Sequence, residues 1–304
     1  MKRILLTVLL FCLLVAHPEK IHASTNINYT PAQIKDLVSK NSNNNVISFT
    51  NEDLIERKDK LIEVIASQFY KNYKSNVEFN YINVNYPANC NSKLVSSIEV
   101  DLSNVLRGLF PEYCKLRAIK HTDSVNTEVT YFIEDYVVKP NAQYFYERIN
   151  AMSYKYSGVN DRDKITGFNK EITDLVNYDY TSPETVYKSR NGEENPSSAY
   201  MAVMKRTAIC SGYSSAISLM CEESGIKEFK VCNEDGTHIW NAVFVDDKWL
   251  FVDCTWNDQV PGKSTYLLKE ISSRRYDVRI FNICKEVVLN AGLSNNSPFL
   301  ITEK

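Results

Sequence analysis

Cys210, His238 and Asp253 stand in that order along a chain of 304 residues. A thiol, an imidazole and a carboxylate are what nucleophilic acyl chemistry needs. The thiolate attacks, the imidazole moves protons, and the carboxylate fixes the ring's tautomer and stabilises its cation. Cys210 opens the run Cys210-Ser211-Gly212-Tyr213, after which Tyr213, Ala216, Ile217 and Met220 recur at helical spacing. Gly225 stands where such a helix would stop. A cysteine in the first turn of a helix meets unpaired backbone N–H groups and the positive end of the helix dipole. Both favour a thiolate, and the same N–H groups suit a developing oxyanion.

The other two residues fall on alternating segments. A strand is expected at Glu228–Cys232, followed by a turn through Asn233–Gly236. In Thr237 to Val245, His238, Trp240, Ala242 and Phe244 share one face. In Lys248 to Cys254, Trp249, Phe251 and Asp253 share one face. If Asp246-Asp247 is a two-residue hairpin loop, Val245 faces Lys248, Phe244 faces Trp249 and Trp240 faces Asp253. His238 and Asp253 then become diagonal neighbours on one side of the sheet, about 7–8 Å apart in backbone terms. A loop longer or shorter by one residue would put them on opposite faces. Taken singly, Cys210 reads as a packed small residue, His238 as a core histidine and Asp253 as a turn acid. Taken together, the helix mouth, the strand parity and the order point to one site. All three tryptophans, Trp240, Trp249 and Trp256, cluster on this hairpin and could wall off water and frame a slot for substrate.

The elements that must position these residues can be sketched from pattern. The capping-box form Thr50-Asn51-Glu52-Asp53 predicts a helix to about Lys74. Val77–Val84 alternates like a strand, Lys93–Leu109 reads as a helix, and strands are expected near Lys115–Lys120 and Glu128–Val138. A helix follows from Asn141 to about Tyr156, and another from about Lys164 to Val176. Pro31 opens a short helix to Lys40. Asp161 and Asp163 suggest a calcium loop only faintly, because Thr166 and Ile172 occupy the positions that need Gly and Glu. They read as helix-capping acids instead. Thr181–Ser197 is loop-like. The nineteen tyrosines show no repeated spacing and read as core and interface aromatics rather than as a glycan-binding surface.

Composition narrows the class. A formal net charge of −2 gives no electrostatic footprint for nucleic acid. Met1-Lys2-Arg3 followed by the apolar run Ile4–Ala16 fits a signal peptide better than a membrane span, with cleavage expected after Ala23. No second apolar run approaches spanning length, so a secreted or cell-surface location without a stable span is expected. The chain holds eight cysteines; without Cys12, seven remain. An odd number in an exported chain suggests one free thiol and up to three pairs, or several reduced core cysteines. Cys254 should point to the strand face opposite Asp253, and Cys232 should lie on a strand leading away from the helix mouth. There is no C-x-x-C, and only His121 and His238 remain after cleavage, so neither a metal site nor a cofactor is expected. The expected organisation is a signal peptide at 1–23, a flexible polar segment at 24–47, an N-terminal α+β region at 48–160 and a second domain at 161–304.

The residues Ala199-Tyr200-Met201-Ala202-Val203, Ala208-Ile209-Cys210-Ser211-Gly212-Tyr213, Gly225-Ile226, His238-Ile239-Trp240-Asn241, Trp249 and Val252-Asp253-Cys254-Thr255-Trp256 carry a family pattern. With C-x-G-Y, H-x-W-N and D-x-T-W in this order, the stretch from Lys164 to Leu268 resembles the transglutaminase-like superfamily, most of all its bacterial secreted branch. The resemblance implies an α+β, papain-like core in which a helix bearing the cysteine packs on an antiparallel sheet bearing His and Asp. It implies Cys210 as nucleophile, His238 as base and Asp253 as orienting acid. Substrate-binding positions would be Tyr200, Tyr213, Trp240 and Trp256, with Tyr200 a wall or oxyanion helper. No glutamine precedes Cys210 at short distance as in the papain-like oxyanion hole; Met204 and Lys205 stand there. The expected activity is acyl transfer on amide bonds of peptides or proteins, in the manner of a peptidase, amidase or transglutaminase. The competing expectation is an inactive module of the same fold that binds peptide or cell-wall glycan.

Overall fold

The computed structural model describes residues 45–48, 57–75, 81–87, 90–112, 114–122, 126–135, 142–181, 195–291 and 300–303. The signal peptide, the short helix to Lys40 and the capping box at Thr50–Asp53 lie outside them, as do most of the polar segment 24–47 and of the loop 181–197. Among the described residues, one sheet contains β1 (Asn45–Ser48), β2 (Tyr81–Pro87), β3 (Cys114–Thr122), β4 (Asn126–Asp135) and the late strand β11 (Leu300–Glu303), in the order β11-β1-β2-β4-β3. A short pair joins β5 (Asn177–Tyr178) to β6 (Thr207–Ala208). The second large sheet is antiparallel throughout, in the order β10-β9-β8-β7. Its strands are β7 (Glu228–Cys232), β8 (Ile239–Val245), β9 (Lys248–Val252) and β10 (Lys269–Glu270). The helices are α1 (Lys58–Lys74), α2 (Ser92–Leu109), α3 (Ala142–Tyr154), α4 (Asp161–Leu175), α5 (Cys210–Glu223), α6 (Cys254–Asp258) and α7 (Val278–Leu289). The architecture is α+β, with the cysteine-bearing helix α5 packed on an antiparallel sheet.

Two cores hold these layers together. In the first, α1 and α2 bury Leu61, Ile65, Phe69, Ile98, Leu102 and Val105 against the five-stranded sheet. The same core takes in Phe281 and Val287 of α7 and one face of the second sheet, with Phe229, Trp240, Ala242, Trp249 and Phe251. In the second core, Tyr213, Ala216, Ile217 and Met220 of α5 meet Val243, Val245, Leu250 and Val252 on the opposite face, with Ile165 and Phe168 of α4 and Phe145 and Ile149 of α3. Each such buried side chain contributes about 1.5–3 kcal/mol before entropy is counted. Residues from both sides of the expected boundary at 160 enter both cores.

Local chemistry explains the element ends. Asn91 caps α2 by accepting the Lys93 N–H at 2.9 Å, and Asn160 caps α4 by accepting the Asp163 N–H at 2.9 Å. Asp161 and Asp163 therefore sit in the first turn of α4, where they complement the helix dipole. Helix α4 starts at Asp161 rather than Lys164 because the cap is Asn160. Strand β2 runs on past the expected end at Val84 to Pro87, and the expected residues 77–80 lie outside the described ones. Tyr81, Ile82, Asn83 and Val84 are buried in succession, so both faces of the strand are covered there and alternation is a poor guide to its ends. Helix α7 has no counterpart in the sequence reading; Asp277 caps it through the Ile280 N–H at 3.0 Å. Most tyrosines of the first sheet are core residues, as expected. The Tyr86 and Tyr131 hydroxyls share a buried hydrogen bond of 2.8 Å.

Candidate active site

The β8–β9 hairpin has the predicted loop and register. Val245 pairs with Lys248, Phe244 with Trp249 and Asn241 with Val252. Asp246 and Asp247 take φ of 52° and 61°, the left-handed pair that a tight two-residue hairpin needs. Just beyond the last pair, Asn241–Val252, His238 and Asp253 come within reach of each other. His238 Nε2 is 2.7 Å from Asp253 Oδ2. Since Nε2 is taken, Nδ1 is the ring atom left for Cys210, which lies close enough to the imidazole to favour its protonated form.

Helix α5 brings the thiol. It packs on the sheet face of Asn241 and Val243, opposite to that of Trp240. The Asn241 side chain donates to Ser214 O at 3.0 Å and Ser218 Oγ at 3.1 Å, and Ser214 Oγ donates to Ile239 O at 3.1 Å. These bonds fix the helix along β8 so that its first turn overhangs the strand end, where His238 and Asp253 sit. Gly212 permits the fit. A Cβ there would lie 2.6 Å from Pro196 O and 3.0 Å from Ser198 O, so any side chain would push the 195–198 segment off the helix. At the far end, Gly225 (φ 69°) closes a Schellman motif, with Ile226 N–H donating to Cys221 O at 2.9 Å and Gly225 N–H to Glu222 O at 3.2 Å.

Asp253 is 1% exposed and serves two purposes. Its Oδ1 accepts the Trp256 N–H at 3.0 Å and so caps α6. Its Oδ2 accepts from both His238 and Arg274, whose Nη1 lies at 2.6 Å. The Arg274 guanidinium stacks between Trp256, at 3.7 Å, and Trp240, at 4.3 Å. Trp256 also stacks on the His238 ring, with centroids 5.0 Å apart and planes 10° apart. Burial disfavours an imidazolium, but Asp253 and Cys210 outweigh it, and the His238 pKa is raised to about 9. Burial likewise opposes charge on Asp253, yet the donors His238, Trp256 N–H and Arg274 hold its carboxyl below the ordinary range.

The structure thus brings Cys210, His238 and Asp253 together and sets Trp240 and Trp256 around them. Trp256 is 38% exposed and forms an outer wall. Trp240 is buried behind the site, and its Nε1 has no acceptor among the described residues. Tyr200 and Tyr213 are placed elsewhere. Tyr213 is fully buried, with its hydroxyl donating to Asp258 Oδ2 at 2.8 Å. Tyr200 is buried against Phe145. Neither offers an accessible surface. Cys254 faces the second core, as its parity requires. Cys232 departs from expectation. It pairs with Ile239, so its end of β7 lies beside His238, at the helix mouth rather than leading away from it. Cys90, Cys210, Cys221, Cys232, Cys254 and Cys284 are all free thiols. Burial pushes the Cys221, Cys254 and Cys284 thiols well up, as suits packed rather than reactive residues. No group of three or more His, Cys, Asp or Glu side chains among the described residues could hold a metal ion.

Two neighbours of the site were not among the expected residues. Arg274 lies 21 positions past Asp253 in a segment without periodicity. Tyr178 lies close enough to Cys210 for the thiol to raise its hydroxyl's pKa, after burial as the larger cause. The tetrad Asn177-Tyr178-Asp179-Tyr180, just past the expected helix end at Val176, supplies this ring and the 80% exposed Tyr180 beside it.

No protein-family model and no curated protein matches the chain. A crystal structure of a TGase is similar with a TM-score of 0.32 and 15% identity, covering 59% of this chain and 51% of that one. The periplasmic domain of TgpA from Pseudomonas aeruginosa, solved with ethylmercury, is similar with a TM-score of 0.28 and 15% identity, covering 43% of this chain and 57% of that one. This chain thus spans little more than half the length of either. Transglutaminase-like structures are among those it is similar to, at a level too slight to carry an argument about chemistry; the geometry of Cys210, His238 and Asp253 carries it instead.

Proposed function

We propose that this chain is an exported, cysteine-dependent acyl-transfer enzyme acting on amide bonds of peptides or proteins. The observation that carries the proposal is the convergence at the first turn of α5 of Cys210 with His238, which is itself hydrogen-bonded to Asp253. Cys210 Sγ attacks the amide carbonyl carbon, and the C–S bond forms. The N–H groups of Cys210 and Ser211 in the first turn face the developing oxyanion, while those of Gly212 and Tyr213 donate to Ile209 O. His238 gives its proton to the departing nitrogen as the C–N bond breaks. Water or a second amine then attacks the thioester, His238 takes the proton from it, and the thiol is released. Water makes the chain a peptidase or amidase; a lysine-type amine makes it a transglutaminase. Export rests on the basic start and the apolar run Ile4–Ala16. No helix among the described residues is long and apolar enough to cross a membrane.

The test is intact-mass spectrometry of the chain with a panel of peptide thioesters and glutamine-containing peptides. The expected result is a mass gain of one acyl group on Cys210, discharged by water or by added alkylamine, and absent in Cys210→Ala. A chain that binds the peptides without ever gaining an acyl group would favour the binding module.

A further inference from the structure

The carboxylate that serves His238 is not reserved for it. Asp253 Oδ2 takes Arg274 Nη1 at 2.6 Å and His238 Nε2 at 2.7 Å on the same oxygen. Arg274 is held there firmly. Its guanidinium lies between the indoles of Trp256 and Trp240, with the Tyr266 ring 5.6 Å away, and its side chain is 12% exposed. Its Nη2 is buried with no acceptor among the described residues, so Asp253 is the anion its charge acts on. The chain leaves this residue extended, between a turn at Ile271–Ser273 and the Asp277 cap of α7, so its position is set by stacking and by Asp253 rather than by a helix of its own.

We propose that Arg274 is a positioning residue of the acyl-transfer site, one that shares Asp253 with His238 and so limits how firmly the carboxylate holds the imidazolium. The inference rests on the function proposed above and deepens it. An imidazole must be protonated to expel the amine and neutral to activate the second nucleophile. Asp253 alone, buried beside His238, would favour the cation at every stage. A fixed guanidinium on the shared oxygen takes up part of the carboxylate's charge and repels the imidazolium, which makes the proton easier to release. The other ionisable groups around the pair are few. Cys210 faces the ring from α5, and Tyr178 of β5 and Cys232 of β7 lie close enough to Cys210 to feel its charge. Asp277, ahead of α7, acts on Cys232. From β8 and α6 the ring meets the indoles of Trp240 and Trp256.

The test is the titration of the His238 ring by NMR in the full chain carrying Cys210→Ala, which removes the thiol from the pair. Adding Arg274→Gln should move the midpoint up by about one pH unit, as loss of a close like charge requires. Arg274→Met, which keeps a stem between the indoles, should move it likewise. Arg274→Lys, which keeps a cation, should lie nearer the unsubstituted chain than either. A midpoint that stays put, or falls toward the ordinary imidazole value as a merely loosened site would give, overturns the proposal. Because Cys210 is absent from these chains, the result stands whether or not the native thiol performs acyl transfer. In the native thiol background, Arg274→Gln should slow discharge of the thioester about tenfold, leaving its formation less affected. Equal slowing of both steps would contradict the assigned role.

Discussion

The first turn and the middle of α5 each stand over a carboxylate, and they treat it in opposite ways. At the N-terminal end, Asp253 meets His238, Arg274 and a backbone N–H and stays charged. About two turns along, Glu228 Oε1 accepts from Asn241 Nδ2 at 2.6 Å and Ser218 Oγ at 2.9 Å, both neutral donors. Burial there outweighs those bonds and the more distant lysines, and the Glu228 carboxyl is pushed up to about 7. Both groups lie under the same helix on the same sheet. Burial alone therefore does not decide a carboxyl's charge; cations within hydrogen-bond reach do. The mouth of α5 keeps a fixed ionic set where proton transfer is proposed, while the middle of the helix covers an acid that titrates near neutrality.

The comparison breaks most readily at Asp253. Asp253→Ala leaves His238 and Arg274 facing each other without their shared anion and should cost about 3–5 kcal/mol in urea unfolding at pH 7. A cost below about 1 kcal/mol would mean that solvent, not Asp253, supports the two cations. Glu228 should act in the opposite sense. Its folded carboxyl is raised above the unfolded value, so the unfolded chain binds fewer protons between about pH 4 and 7. Stability from this group is complete below about pH 4 and declines as pH rises through 7, by on the order of 3 kcal/mol. Glu228→Gln should flatten that slope; a slope unchanged in the variant would assign it elsewhere. His238 adds a separate window, since its raised pKa makes its contribution complete below about 6.5 and lost as pH rises through about 9.

A smaller effect is expected at the outer wall. Trp256→Ala removes one slab from Arg274 and one from His238 and should cost about 1–2 kcal/mol, with the imidazole titration shifting in the same experiment. An unchanged titration would confine Trp256 to packing. The smallest change should be a gain. Asp247→Gly relieves a left-handed residue in the hairpin loop and should stabilise by about 0.5 kcal/mol, leaving the site end alone. A disturbed His238 titration in that variant would show that the loop sets more than register.

Much of the site was legible because it depends on parity. Two residues in the loop, counted back along alternating strands, put His238 and Asp253 together without any knowledge of the remaining fold. The start of α5 was legible from Cys-Ser-Gly-Tyr and its end from Gly225. What parity cannot convey is which face a helix covers. α5 lies against the Asn241 face, so Tyr213 turns into the second core instead of toward the site. The same limit hid Cys232, whose place depends on the direction of β7 at the sheet edge. Arg274 left no local signal, because its position comes from two indoles and a carboxylate far from it in sequence. Helix α7 and β11 were missed for a related reason: their partners are α1, α2 and β1, near the start of the chain.

The most direct measurement is peptide-resolved alkylation of Cys210 by iodoacetamide at about pH 6, in the native chain and in His238→Ala. The account predicts that Cys210 reacts ahead of the other cysteines in the native chain and at least tenfold more slowly once the imidazole is gone. Equal rates in the two chains would contradict it, leaving a cysteine that only happens to lie beside a histidine.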